Sequence, residues 1–274
     1  MIKLVAFDLD GTLLDEEKQL PPNFYQIAER LLDHGVRVVI ASGRQYQNLY
    51  EQFAPLADRF SYLSENGAFF FEDGKCILQH SLPRERWEPI FLLAESLPTV
   101  TPILAGAKAG YVRTPVTEDF FRNWCLYYAA RDLSADPLET AFRNDHIVKI
   151  AVYDRESTEK NCTPLFEQFG NVFNISLSGK NWLDIMEVGV NKGVALTEFI
   201  EKVGIRKDEC LAFGDYLNDA EMLQSVEYGY AMKNSHPDVL KIAKYVAPAN
   251  TENGVMRVLK RHFPELLSDL VAED

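Results

Sequence analysis

The feature that most constrains this chain is a short, mostly apolar run, Ile2-Lys3-Leu4-Val5-Ala6-Phe7, that stops abruptly at Asp8-Leu9-Asp10-Gly11-Thr12. A run of this length without polar alternation suits a strand covered on both faces, as in a parallel sheet. In open parallel sheets ligands bind at the carboxyl ends of strands. Residues two apart in an extended chain point the same way, so Asp8 and Asp10 can address one site while Gly11 lets the backbone turn away. A calcium-loop reading fails, because the sixth and twelfth positions hold Leu13 and Gln19 instead of glycine and glutamate. The N-terminal flanking helix that such a loop requires is also missing from the pattern.

The texture after this strand is strand–helix–strand. Pro21 and Pro22 open a helix with Phe24, Ile27, Ala28, Leu31 and Leu32 at helical spacing, Gly35 closes it, and Val36 to Ala41 is a second buried strand. Such a crossover implies parallel pairing. The same texture returns late. Asn191 is placed to cap a helix carrying Leu196, Phe199, Ile200 and Val203. Cys210 to Phe213 is a strand running into Gly214-Asp215, and further strands are expected at 228–232 and 245–247, with helices near Pro237 and over 254–263. The middle breaks the pattern. Asp73-Gly74 predicts a tight hairpin between 68–72 and 75–79. Helices are expected over about 84–97, 117–130 and 157–168, and strands around 100–106, 110–114, 146–153, 172–177 and 182–188. This interruption suggests a second domain inserted into the first. The aromatic run Phe120, Phe121, Trp124, Tyr127 and Tyr128 falls at helical spacing and reads as the core of the inserted part.

Three further features carry chemistry. Ser42-Gly43-Arg44 ends the second strand, where a hydroxyl and the Gly43 amide could donate to a phosphoryl oxygen. Lys192 sits at a helix start, where a cation opposes the helix dipole unless a nearby anion compensates. Gly214-Asp215-Tyr216-Leu217-Asn218-Asp219 follows a buried strand and places two carboxylates four apart, an oxygen-rich cluster suited to a hard cation such as magnesium. Asp219 could also serve as the N-cap of the helix that follows.

Composition excludes other classes. A formal net charge of −13 over 274 residues argues against nucleic acid or an anionic membrane as partner. No stretch approaches the roughly 20 apolar residues that span a bilayer. Cys76, Cys125, Cys162 and Cys210 lie far apart without a CxxC pair and read as buried, reduced thiols of a cytoplasmic protein. The five histidines lie outside every motif.

Asp8 to Leu14, Ser42-Gly43-Arg44, Asn191-Lys192-Gly193 and Gly214-Asp215-x-x-Asn218-Asp219 together resemble the four motifs of the haloacid dehalogenase-like superfamily. Asn66-Gly67-Ala68 and Asp184-Ile185-Met186-Glu187-Val188 are similar to its Cof-type phosphatase subfamily. Tyr216 departs from the pattern, since the family usually has a small or polar residue there. The resemblance implies an α/β fold: a Rossmann-like doubly wound parallel-sheet core at 1–81 and 189–274, with an inserted α/β cap at 82–188. It implies a phosphatase of small phosphorylated metabolites, such as sugar phosphates or phosphorylated cofactors, with Asp8 as nucleophile and Asp10 as general acid and base. Mg²⁺ would be held by Asp8, the Asp10 carbonyl, Asp215 and Asp219, the last as ligand or just behind. Leu9, Thr12, Ser42, Gly43, Lys192 and Asn218 would bind the phosphoryl group. A phosphomutase using the same aspartate pair, or a non-catalytic phosphate sensor, are the alternatives. Arg113, Lys180 and Trp182 are unranked candidates for contacting the leaving group.

Overall fold

The computed structural model describes residues 1–113, 116–129, 131–132, 139, 143 and 145–270. Its strands form two separate sheets. The larger has eight strands, β1 (Leu4–Phe7), β2 (Arg37–Ala41), β3 (Ser61–Ser64), β4 (Phe69–Glu72), β5 (Lys75–Gln79), and, further along the chain, β12 (Cys210–Gly214), β13 (Tyr228–Met232) and β14 (Tyr245–Ala247). Their spatial order is β14-β13-β12-β1-β2-β3-β4-β5, so β1 lies inside the sheet with parallel neighbours β12 and β2. Leu4 aligns with Cys210 on one side and with Arg37 on the other.

The apolar run in β1 divides by strand alternation. Val5 and Phe7 face one core with Phe24, Ile27, Phe213 and the Gly254–His262 helix; Leu4 and Ala6 face another with Val39, Leu63, Leu196 and Phe199 of the Lys192–Lys202 helix. Both faces are covered, which is why the strand shows no polar alternation. Each fully buried Phe or Leu here contributes roughly 1.5–3 kcal/mol of transfer free energy. β4 and β5 join as the antiparallel hairpin expected at Asp73-Gly74, both of which have positive φ.

The second sheet comprises β6 (Val100–Gly106), β7 (Gly110–Tyr111), β8 (Arg131–Asp132), β9 (Ile147–Asp154), β10 (Phe173–Gly179) and β11 (Trp182–Glu187). Its order is β10-β11-β9-β6-β7-β8, antiparallel except for the β7–β8 pair. The Arg84–Glu95 helix covers one face through Trp87, Ile90 and Phe91, and the Glu118–Tyr127 helix covers the other through Phe120 and Trp124. Thr117 caps the latter by accepting from the Phe120 N–H.

The structure corrects several expectations. The helix expected over 157–168 is broken into Thr158–Asn161, Thr163–Phe166 and a single 3-10 turn at Glu167–Phe169. Pro164 has no N–H with which to continue the first segment, so the chain restarts with proline in the first turn of the second. Phe121 of the aromatic run is exposed instead of buried. Cys162 and Cys210 are buried as expected, but Cys76 is exposed and Cys125 half-buried; all four are free thiols. Of the segment 110–114 only Gly110–Tyr111 is strand, and position 114, like Ala130 at the end of the 117–130 helix, lies outside the described residues. No helix among the described residues is long and apolar enough to cross a membrane.

Candidate active site

Because β12, β1 and β2 are adjacent and parallel, their carboxyl ends bring Gly214-Asp215, Asp8-x-Asp10 and Ser42-Gly43 to one edge. Lys192, at the start of its helix, reaches that edge from one face of the sheet. It is fully buried, and its ammonium donates to Asp8 Oδ1 and Asp219 Oδ1, each at 2.6 Å. The anion that a cation at a helix start requires is therefore a pair of carboxylates. Asn191 makes the expected cap, its Oδ1 accepting from the Val194 N–H.

Asp8, Asp215 and Asp219 offer carboxylate oxygens within 4.8 Å of one another, all buried. Thr12 Oγ1 donates to Asp215 Oδ1 at 2.9 Å, and the Thr12 N–H donates to the Leu9 carbonyl. Thr12, expected to contact phosphate, thus spends both donors inside the protein and orients Asp215. The side chain of Leu9, also expected in the phosphate set, is in the hydrophobic core, which leaves its backbone alone for that task. Asp219 does not cap the Ala220–Ser225 helix with its side chain. Its Oδ2 accepts from the N–H groups of Asp215 and Tyr216, and its Oδ1 is held by Lys192, so both oxygens are committed. By contrast, Asp8 Oδ2 and Asp215 Oδ2 accept no hydrogen bond from any described residue.

Three buried carboxylates face one ammonium, and the imbalance shows in their protonation. Burial, reinforced by Asp219 and opposed by Lys192, pushes the Asp8 carboxyl up to about 7. Burial and the neighbouring Asp8 and Asp219 carry Asp215 well above the carboxylate range. Lys192 is held charged beyond its ordinary range because Asp219 and Asp8 outweigh its own burial. An excess of buried negative charge with two free carboxylate oxygens fits a hard divalent cation.

Asp10 has a different environment. Burial acts to raise its carboxyl, but the Arg44 guanidinium, forked onto both oxygens at 3.0 and 2.7 Å, and Lys18 at 2.7 Å outweigh it and hold the group low. Arg44, which at a helix start reads from sequence as a surface residue, is instead buried against Asp10, with its guanidinium 5.5 Å from the Tyr127 ring centre. Lys18 had no sequence signal beyond its proximity to Asp10.

The open side of the acidic cluster is a cleft of about 450 Å³ lined by both sheets: Asp8, Asp10, Ser42, Gly43, Asp215, Tyr216 and Asn218 below, and Tyr127, Lys149, Ser178, Trp182 and Asp184 above. Tyr127 therefore packs against the aromatic core, as its helical spacing predicts, and also lines the cleft wall. Among the three candidates for leaving-group contact, Trp182 lines the cleft, packed 4.9 Å from Tyr127. Arg113 is instead paired with Glu95 at 3.0 Å, and Lys180 is not among the lining residues. Tyr216 lines the cleft and meets His236 edge-on at 5.5 Å. Lys149, Glu65 and Asp184, which the sequence reading did not single out as site residues, form a buried ion cluster beneath the cleft wall: the Lys149 ammonium lies 2.7 Å from Glu65 Oε2 and 3.4 Å from Asp184 Oδ1, and donates to the Gly43 carbonyl at 2.8 Å.

A family profile described as haloacid dehalogenase-like hydrolase matches residues 5–259. Among characterised proteins, the chain is 28% identical over 264 residues to the 5-amino-6-(5-phospho-D-ribitylamino)uracil phosphatase YbjI of Escherichia coli, covering 95% of this chain and 96% of that protein. It is 28% identical over 244 residues to the HMP-PP phosphatase of Serratia proteamaculans, covering 87% and 86%. The crystal structure of SMU.1108c from Streptococcus mutans superposes with a TM-score of 0.86 at 27% identity, covering 96% of this chain and 100% of that one.

Proposed function

The chain belongs to the haloacid dehalogenase-like hydrolase family and is a phosphatase, and we propose that it hydrolyses small phosphorylated metabolites with Asp8 as nucleophile and Mg²⁺ as cofactor. The supporting observation is the arrangement around Asp8. One oxygen is fixed by Lys192, the other is unbonded, and both lie at the floor of a cleft with Asp215 alongside. An acid cluster built only to hold a cation would not need a buried lysine to anchor one carboxylate.

In the reaction, the Asp8 carboxylate attacks phosphorus, the bond to the leaving oxygen breaks, and an aspartyl-phosphate forms. Asp10 gives a proton to the leaving oxygen, then takes one from the water that attacks the acyl-phosphate and releases inorganic phosphate. The grip of Arg44 and Lys18 favours the Asp10 carboxylate, the form needed for the second step. Loosening of that grip is what would let Asp10 carry a proton for the first. Asp8, the Asp10 carbonyl and Asp215 would hold Mg²⁺, whose positive charge would offset the repulsion between an anionic ester and a carboxylate. Asp219, with both oxygens committed, orients Lys192 and the Asp215 backbone from behind. Ser42 Oγ, the Gly43 N–H, Lys192 and Asn218 take the phosphoryl oxygens.

The core at 1–81 and 189–274 carries the chemistry and the cap at 82–188 contacts the leaving group. Tyr127 and Trp182 on the cap side, and Tyr216 on the core side, give the cleft an aromatic character. Lys149, the one cation among the described lining residues, is occupied by Gly43, Glu65 and Asp184, which favours an uncharged leaving group. Phosphorylated sugars, or a monophosphate on a ribityl chain such as the one named for the Escherichia coli relative, fit this description. Exposed, free Cys76 suits a cytoplasmic setting.

The test is a Mg²⁺-dependent phosphate-release screen over a panel of phosphorylated metabolites. Wild type should release phosphate, chelation should stop it, and Asp8→Asn should release none; Asp10→Asn should trap phosphoenzyme. Full turnover by Asp8→Asn would sink the scheme, and an isomeric phosphate ester as single-turnover product would make the protein a mutase.

A further inference from the structure

Glu65, Asn66 and Gly67 all have positive φ, at 48°, 54° and 101°. Three consecutive left-handed residues, two of them not glycine, hold a costly backbone. The turn they form is stitched to the Ser42–Arg44 turn: the Asn66 N–H donates to the Ser42 carbonyl at 3.0 Å and the Glu65 N–H to the Arg44 carbonyl at 3.1 Å. It also abuts the start of the Lys192 helix so closely that a Cβ on Gly67 would lie 2.4 Å from the Asn191 carbonyl oxygen. The turn thereby touches two parts of the phosphate cradle, the Ser42–Arg44 turn and the start of the Lys192 helix.

The Asn66 side chain continues the connection. Its Nδ2 donates to Asp184 Oδ2, and its Oδ1 accepts from Asn218 Nδ2 at 3.0 Å. An amide can present either end to a neighbour, but a carboxylate can only accept. Asp184 thus leaves Asn66 one orientation, with nitrogen toward Asp184 and oxygen toward Asn218. Asn218 must then turn its own nitrogen to Asn66, which leaves that nitrogen one further N–H for an anion in the cleft that Asn218 lines.

We propose that Asp184 is a positioning residue for phosphoryl binding: through the Asn66 amide it sets which end of Asn218 faces the phosphate. A strand of the six-stranded sheet would thereby dictate the donor polarity of a group on the eight-stranded one. The proposal rests on the phosphatase reading for the role of Asn218.

A double-mutant cycle on inorganic phosphate binding tests it, with Asp184→Asn, Asn66→Ala and the two combined, alongside turnover and thermal unfolding of each. Asp184→Asn keeps the shape and frees the polarity, so phosphate binding should weaken about tenfold, the scale of one hydrogen bond to a charged group. Removal of a nearby negative charge acting only through space would tighten phosphate binding, so the sign separates the two. In the Asn66→Ala background the relay is already cut, and adding Asp184→Asn should change phosphate affinity by less than about twofold. The proposal is overturned if Asp184→Asn binds phosphate as tightly as wild type or more so. Equal weakening with and without Asn66, or a loss of thermal stability with unchanged phosphate affinity, also overturns it. A wild type that neither hydrolyses phosphate esters nor binds phosphate removes the phosphatase reading itself; a wild type that does both, with unchanged Asp184→Asn, removes only the relay.

Discussion

Gly11 occupies the point where the chain leaving the Asp8 strand turns away from the site, with φ +86°, and a Cβ there would lie 2.3 Å from Asp215 Oδ2 and 2.8 Å from its Cγ. Gly35, which ends the Phe24–Asp33 helix at φ +77°, has nothing within 4 Å of the same position. Replacing each by alanine separates backbone strain from collision. Gly35→Ala should cost only the left-handed penalty, roughly 1–2 kcal/mol. Gly11→Ala carries the same penalty and must also drive the Asp215 carboxylate back by about 1 Å to reach ordinary contact, breaking its bond from Thr12. A hydrogen bond to a charged group is worth about 1.5–3 kcal/mol, so that is the expected excess over Gly35→Ala. For a chain of this size the excess lowers the melting temperature by roughly 3–12 °C, measured with chelator present. A ligand displaced by that much falls outside the roughly 0.2 Å tolerance of a metal site, so Mg²⁺ affinity by calorimetric titration should drop at least about tenfold in Gly11→Ala and stay unchanged in Gly35→Ala. Equal melting temperatures and equal Mg²⁺ affinities for the two variants would refute the placement of Asp215 against the turn.

Lys192→Met strips the ammonium from between Asp8 and Asp219 and should lose about 3–5 kcal/mol in denaturant unfolding without metal, because two buried carboxylates lose their counter-charge; a loss below about 1 kcal/mol would mean that the pair is not buried as described. Glu65, pushed up to about 6 chiefly by burial against the opposing pull of Lys149, binds its proton more tightly folded than unfolded. It should therefore cost stability progressively as pH rises from about 4.5 through 6, by about 2 kcal/mol in total, and Glu65→Gln should flatten that part of the stability–pH curve.

The strand ends were legible because an apolar run that stops at acids leaves few alternatives for a buried parallel strand, and Lys192 was legible because a cation at a helix start needs an anion. Asp219 misled for a local reason. Aspartate before a helix is usually a cap, and only the folded loop turns its oxygens back to the amides of Asp215 and Tyr216. Tyr127 shares helical spacing with Phe120 and Trp124, and spacing alone does not say that the last turn of that helix meets a cleft wall. The Lys149–Glu65–Asp184 cluster was hidden for another reason. Asp184 entered only as part of a motif resemblance and Lys149 not at all, and their partners Gly43, Glu65 and Asn66 lie more than 80 residues away in sequence. The Arg44 grip on Asp10 belongs with these: a surface-looking arginine became buried only through a fork that joins two loops.

The position of β1 between β2 and β12 has a consequence for biosynthesis. β1 can pair with β2 as soon as residue 41 is free, but its other edge waits for β12, which begins at Cys210. At ribosomal rates of about 5–20 residues per second that edge stands open for roughly 8–35 s. Asp215 is made only after this interval and Lys192 only near its end, so a product truncated before β12 lacks part of the charged cluster around Asp8. The antiparallel sheet, whose strands all fall between residues 100 and 187, is made within the same interval and can pair before the catalytic sheet closes. The wall of the cleft would then exist before its floor, and the growing chain would be spared a half-built acidic pocket until the last strands dock.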